Sequence, residues 1–284
     1  GDAGAALVVN VGGLTVTGNY ALANGADVIQ TATGADISGV NGGAATTAET
    51  IDVVGNVTMS VAQYNAFATV NGAGGADQIT LSDSGAVAAD ADIETYVLGA
   101  LGGSTLTVNV AGLGVDVNGS GGNDTIDIGS LAVTGDYNLS GAGDTLVALA
   151  GADITGVNSG AATTAETLNL TGPGNITMTG AQHNGFTDIV AGNAADQVTL
   201  TTAGTFDLDA DVEFYVAANG GTFDVADDSA NATSIDASAS GSADIIRAND
   251  LVLTAAVSYD LGGGGDTLIA QNGSDISLAL IANI

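Results

Sequence analysis

The chain has 284 residues, of which 32 are acidic and only one, Arg247, is Lys or Arg, so its formal net charge is −31. With no basic surface to neutralise phosphates or anionic headgroups, nucleic acid and acidic membranes are poor partners. The lack of cysteine removes disulfides and thiolate metal sites, and no apolar run approaches the length needed to insert into a bilayer.

The apolar share of 45% is carried by small aliphatic residues, with 44 glycines and no tryptophan, which makes for a thin core. Taken in chain order, VTGNY from Val16 precedes an acid followed two residues on by an apolar residue, Asp27-x-Ile29. GADISGVNGGAATTAETIDV from Gly34 carries the same pattern at Glu49-x-Ile51, and MSVAQYNAF from Met59 leads to Asp77-x-Ile79 in ADQITL. DADIETYV from Asp90 contains Glu94-x-Tyr96, and Asp124-x-Ile126 completes the series.

The chain then says the same again. VTGDY begins at Val133, and GADITGVNSGAATTAETLNL begins at Gly151 with fifteen of twenty letters unchanged, 117 residues after its counterpart. MTGAQHNGF follows from Met178, ADQVTL from Ala195 and DADVEFYV from Asp209. Asp144, Glu166, Asp196, Glu213 and Asp244 repeat the acid series, and Asp266 opens a third. The spacings between successive acids are 22, 28, 17, 30 and 20 residues, then 22, 30, 17, 31 and 22.

After each acid, alternate positions are apolar or small, as in Ile51 with Val53, Ile79 with Leu81 and Leu168 with Leu170. That period of two marks a strand with one buried face, and turns rich in glycine, serine and asparagine separate the strands. A sandwich does not require a repeated rhythm of turns, whereas each coil of a solenoid must present the same inward face to its neighbours.

The predicted fold is therefore all-β, a right-handed parallel β-solenoid (β-helix) running through residues 1–284, the handedness following from the usual crossover rule. Its higher-order repeats of about 117 to 122 residues cover approximately 16–132 and 133–254, with a partial third at 255–284. Ten to thirteen coils are expected, roughly 4.8 Å apart, in a rod on the order of 50 to 60 Å. Leu106 with Val108, and Phe223 with Val225, mark extra strands within the long steps.

Stacking turns the acids into a column. Unit charges about 4.8 Å apart repel by roughly 0.9 kcal/mol in water and more in a protein, so the column must be wet, hydrogen-bonded or bridged by cations. One reading has each Asp accept backbone N–H groups two residues on, in an Asx-type turn. The other is calcium, a hard cation that takes about 6 to 8 oxygen ligands. Asp90, Asp92 and Glu94 are expected on one face of a strand, with Asp209, Asp211 and Glu213 as their counterparts, and alternate spacing suits a solvated face or an ion site.

GSGGNDTID around Asp124, LGGGGDTLI around Asp266 and GAGGADQIT around Asp77 resemble the glycine-rich nonapeptides of repeats-in-toxin (RTX) proteins. The resemblance implies a calcium ion clamped between the glycine turns of successive coils, with Asp124, Asp266 and Asp77 as ligands. It also implies one-step secretion from Gram-negative bacteria and a kinship with surface-layer and adhesin-type repeat proteins.

Little points to catalysis. His183 is the only histidine and its counterpart is Tyr64, so the position does not require imidazole and reads as a rim or loop side chain. A polysaccharide-active β-helix enzyme is the enzymatic alternative, since carboxylates serve as acid and base. Such enzymes recruit basic and aromatic side chains, which are scarce here. The AQYNAF and AQHNGF stretches read as a loop or short helix pinned by Phe67 and Phe186, with Gln63, Asn65, Gln182 and Asn184 in hydrogen-bonded ladders or at a ligand.

Neither end reads as a capping repeat, and an uncapped solenoid stacks into open filaments. The expected function is that of a secreted or cell-surface structural protein, not an enzyme. It would be a fibre, matrix or surface-layer subunit whose partner is itself, by head-to-tail stacking or lateral assembly. The alternative is a calcium-dependent RTX-like adhesin segment whose partners are cell-surface glycans.

Overall fold

The computed structural model describes residues 6–283 apart from 21, 23–25, 46–47, 100–102, 112–113, 120, 142, 193–194, 227–232, 250–256 and 276–278. The expected boundary at 254/255 and Ser120 of the first nonapeptide lie outside the described residues. The fold is an all-parallel β-solenoid of about 12 stacked turns with almost no helix. It divides into two compact units, Gly1–Asp127 with Gly135–Asp144, and Ile128–Thr134 with Thr145–Ile284.

In the first unit, Val8–Gly12, Val28–Thr31, Thr50–Val53 and Thr69–Gly72 form one parallel sheet. Ile29 lies beside Ile51, and Ile51 beside Val70. A second face stacks Asn56–Met59, Gln78–Leu81, Thr95–Val97, Asp116–Asn118 and Tyr137–Asn138. Its inward column runs Val57, Ile79, Tyr96, Val117, Tyr137. All five side chains are buried, which is what the alternation of apolar and polar residues dictates. The third face places Leu106 between Val87 and Ile126, so the strand expected there is present, as Thr105–Thr107.

The second unit repeats the plan. Ile176, Val198, Tyr215, Ile235 and Tyr259 form its inward column, one coil to the next. Leu146, Leu168 and Ile189 form another. Phe206, Phe223, Ile246 and Leu268 stack on the strands Gly204–Asp207, Gly221–Ala226, Ile245–Asn249 and Thr267–Gln271. Phe206 and Phe223 lie 5.5 Å apart between ring centroids, within the range where aromatic pairs attract beyond their simple burial.

Among the described residues each unit has a short α-helix at a corner, Val61–Tyr64 or Gly180–His183. Both open with a capping box: the Ser60 or Thr179 side chain accepts the N–H of Gln63 or Gln182, whose amide oxygen accepts the cap N–H in return. Phe67 and Phe186 are buried behind them, as expected, contributing roughly 1.5 to 3 kcal/mol each.

Candidate functional site

The acid column is real, and its bonding differs from an Asx turn. Asp27 Oδ1 accepts the N–H of Leu7 at 2.8 Å, and Asp77 Oδ1 accepts that of Gly55 at 2.7 Å. Asp124 Oδ1 accepts from Ser104 at 3.0 Å, and Asp144 Oδ1 accepts from Asp124 at 2.8 Å. In the second unit, Asp244 Oδ1 accepts from Gly221 at 2.6 Å and Asp266 Oδ1 from Asp244 at 2.8 Å. Every one of these bonds reaches back across one coil.

The glutamates of the 17-residue steps do the same with a longer arm. Glu94 Oε2 accepts the N–H of Asp77 at 2.8 Å, and Glu213 Oε2 that of Asp196 at 3.0 Å. The backbone carbonyl at the same position bonds forward: Asp27 O accepts from Glu49 and Thr50, and Asp77 O from Glu94 and Thr95. A single residue thus holds the coil before it by side chain and the coil after it by backbone. This is why an acid stands at the entry of one strand after another.

Asp27, Asp77, Asp124, Asp144, Asp196 and Asp244 are all buried. A carboxylate survives burial only where hydrogen bonds replace its water, and charge-assisted bonds from backbone N–H groups are among the stronger replacements. Asp77 Oδ2 and Asp244 Oδ2 have no hydrogen-bond partner. Burial pushes the Asp244 carboxyl above its ordinary pKa, the Gly221 N–H and Ser240 hydroxyl oppose that shift, and the neighbouring Asp266 charge reinforces it.

The glycines of the nonapeptide-like stretches have a local cause. A Cβ on Gly72 would run into the Asp92 carbonyl and lie 2.9 Å from Asp77 Oδ2. One on Gly119 would lie 3.0 Å from Asp124 Oδ2 and 2.9 Å from a Leu139 methyl group. Glycine five residues before the aspartate is what lets the carboxylate tuck under the backbone.

DADIE and DADVE are turns, not strand faces. Asp90 Oδ1 accepts the N–H of Asp92 at 3.1 Å, and Asp209 Oδ1 that of Asp211 at 2.9 Å. Asp90 and Asp92 are bonded to each other within the turn, whereas Glu94 belongs to the column and bonds back to Asp77. Asp209 with Asp211, and Glu213 with Asp196, repeat this division. Among the described residues, no three His, Asp or Glu side chains come together as a set able to hold a metal ion. The nine residues expected as calcium ligands, Asp77, Asp90, Asp92, Glu94, Asp124, Asp209, Asp211, Glu213 and Asp266, form no such set among the described residues.

Asx turns do occur, away from the column: Asp36 Oδ1 accepts the N–H of Ser38, and Asp153 Oδ1 that of Thr155, both at 2.9 Å. Arg247, the sole base, reaches Asp224 one coil away at 3.2 Å on the exposed surface.

Two further polar clusters sit behind the corner helices. Gln63 is fully buried, with its amide donating to the Ile37 and Val40 carbonyls at 2.8 and 2.9 Å. Gln182 repeats this with Ile154 and Val157. Beside Gln63, the Tyr64 and Tyr96 hydroxyls meet at 2.8 Å, and Tyr96 accepts the Asp90 N–H at 2.8 Å. His183 takes the place of Tyr64 in the second unit and is not a rim residue; it is 3% exposed. Its counterpart's varied identity concealed a buried role, because either ring can fill the corner and reach a tyrosine hydroxyl.

Comparison with family models, with curated proteins and with solved structures finds no match to this chain.

Proposed function

We propose that this is an extracellular structural protein, a subunit of a fibre, matrix or surface layer that associates with copies of itself. The observation that carries the reading is the acid column. The residues best suited to chemistry, buried carboxylates, are instead hydrogen-bonded from coil to coil and serve to hold the stack. The buried glutamines cap corners in the same spirit.

The outermost described strands carry exposed apolar side chains. Val8–Gly12 and Thr15–Gly18 are paired on one side only, and Leu7, Val8 and Leu14 beside them are more than half exposed, at 51%, 53% and 66%. Ala279–Ala282 is likewise paired on one side, with Leu280 67% exposed. A second copy of the chain is the proposed partner. The net charge of −31 opposes side-by-side packing, which favours end-on contact.

Sedimentation and negative-stain imaging over a range of protein and salt concentrations test the reading. Linear assemblies that grow with concentration are expected, and a monodisperse monomer at the highest concentrations overturns it.

A further inference from the structure

His183 stands in a hydrogen-bond chain whose proton positions are fixed by its neighbours. Asn184 donates from Nδ2 to the Thr205 carbonyl at 2.8 Å, which turns its Oδ1 toward His183 Nδ1 at 3.1 Å. Nδ1 therefore carries the proton and Nε2 is bare. Nε2 lies 3.0 Å from the Tyr215 hydroxyl, which donates to it while accepting the Asp209 N–H at 3.0 Å. Phe206 and Tyr215 meet the imidazole edge-on, at 6.2 and 5.4 Å between centroids.

In this arrangement the Tyr215 hydroxyl hydrogen already points at the ring, and a second proton on the ring competes with it for the same line. An Nε2–H would face the Tyr215 hydroxyl and force that hydroxyl's own hydrogen away from its partner. The corner of the first unit is built alike but cannot respond. There Tyr64 donates to the Ala88 carbonyl at 2.7 Å and accepts from Tyr96. Burial pushes both phenols upward, that of Tyr96 to about 12.

We infer that the corner built on His183 is an acid-operated latch: protonation parts His183 from Tyr215 and loosens the turn at Asp209–Asp211, which then rests on the Ile189 N–H bond to Asp209 Oδ2 at 3.0 Å, while the Tyr64 corner stays shut. The turn forms one wall of a cleft of about 750 Å³ that His183 borders, so release of the latch reshapes that cleft.

The charged and titratable groups that face His183 act in both directions. Tyr215 lies on the strand Phe214–Ala217, Asp207 ends the strand Gly204–Asp207, and Asp209 and Asp211 belong to the turn. Asp188 on the next strand lines the cleft, as does Asp224, whose charge is paired with Arg247. Burial holds His183 below its ordinary 6.5, outweighing the Asn184 hydrogen bond and the Asp209 and Asp207 charges, which favour an imidazolium. The neutral ring thus contributes its full stability above about pH 6.5, and the contribution is lost as pH falls below that value toward the folded pKa.

Hydrogen exchange read by mass spectrometry near neutral pH and near pH 5, corrected for intrinsic rates, tests the latch on the full chain. Peptides spanning 180–186 and 207–215 are expected to lose protection on the order of tenfold on acidification, while those spanning 61–67 and 88–96 do not. The variant G180V/H183Y/F206V, which carries the first unit's residues, is expected to abolish the difference, and His183→Gln provides a second non-titrating corner. Equal behaviour of the two corners, or an acid response that survives in both variants, overturns the inference.

Discussion

Asp124 and Asp144, one coil apart, are joined through the main chain of one and the side chain of the other: the Asp124 N–H donates to Asp144 Oδ1 at 2.8 Å. Asp124 passes the connection on, accepting the Ser104 N–H at 3.0 Å. Asp124→Ala leaves the Ser104 donor buried without a partner and is expected to cost about 2 to 3 kcal/mol. Asp124→Asn keeps an oxygen acceptor and should cost less than half of that. Chemical denaturation of both variants checks the order, and equal losses contradict it.

Corner packing provides a second prediction. Val61 and Val87 of the first unit are replaced by Gly180 and Phe206 in the second, and the Phe206 ring occupies the space that a Gly180 side chain would need. Gly180→Val alone overfills the corner and should destabilise by about 1 to 3 kcal/mol. Adding Phe206→Val should recover most of the loss. Thermal melting of the single and double variants reads this directly, and additive losses would show that the two positions do not share one volume.

The buried glutamines should be intolerant of change. Gln63→Leu removes three hydrogen bonds and strands the Ser60 N–H and the Ile37 and Val40 carbonyls. An unsatisfied buried polar group costs about 1 to 3 kcal/mol, so a loss of at least about 3 kcal/mol is expected from equilibrium unfolding. A loss under 1 kcal/mol, roughly the cost of one exposed bond, speaks against the described cap.

Asp244 provides the pH test. Because burial raises its pKa in the fold, the charged form is disfavoured there, and the residue's contribution is best at low pH and is lost as pH rises from about 3.8 through the folded value. Asp244→Asn removes that burden, so its melting temperature should exceed the parent's at neutral pH, with the advantage vanishing near pH 3. An advantage independent of pH contradicts the assignment.

Cations should act on this protein through screening. One oxygen of each of the column carboxylates Asp77, Asp124, Asp144, Asp244 and Asp266 is already engaged by an N–H donor, so calcium chloride and sodium chloride at equal ionic strength are expected to raise the melting temperature by similar amounts. A specific, saturable effect of calcium at low concentration would restore the ion-binding reading of the acid column.

The coiled architecture was legible because solenoid geometry forces repetition on the letters. An apolar residue two places after each acid and a recurring rhythm of spacings are direct consequences of one inward face shared by stacked coils. Leu106 and Phe223 marked strands for the same reason. The direction in which a carboxylate bonds leaves no such trace: Asp27 would be written identically whether it accepted from its own turn or from Leu7 one coil back. Asp90, Asp92 and Glu94 show the opposite failure, since alternate spacing fits a strand and a tight turn equally well. His183 was hidden because its partner residues Phe206 and Tyr215 are distant in sequence. The paired exchange of Val61 with Gly180 and Val87 with Phe206 is a trace of that packed corner in the letters, visible once the two copies are aligned.

The measurement that bears most directly on the carboxylate-clamped stack is amide hydrogen exchange by NMR at Gly55, Ser104, Asp124 and Asp244. These four N–H groups should exchange as slowly as the central strand amides, and the Ser104 amide should become fast in the Asp124→Ala variant while Gly55 stays protected. Rapid exchange at all four in the parent protein, as in open turns, would contradict the account.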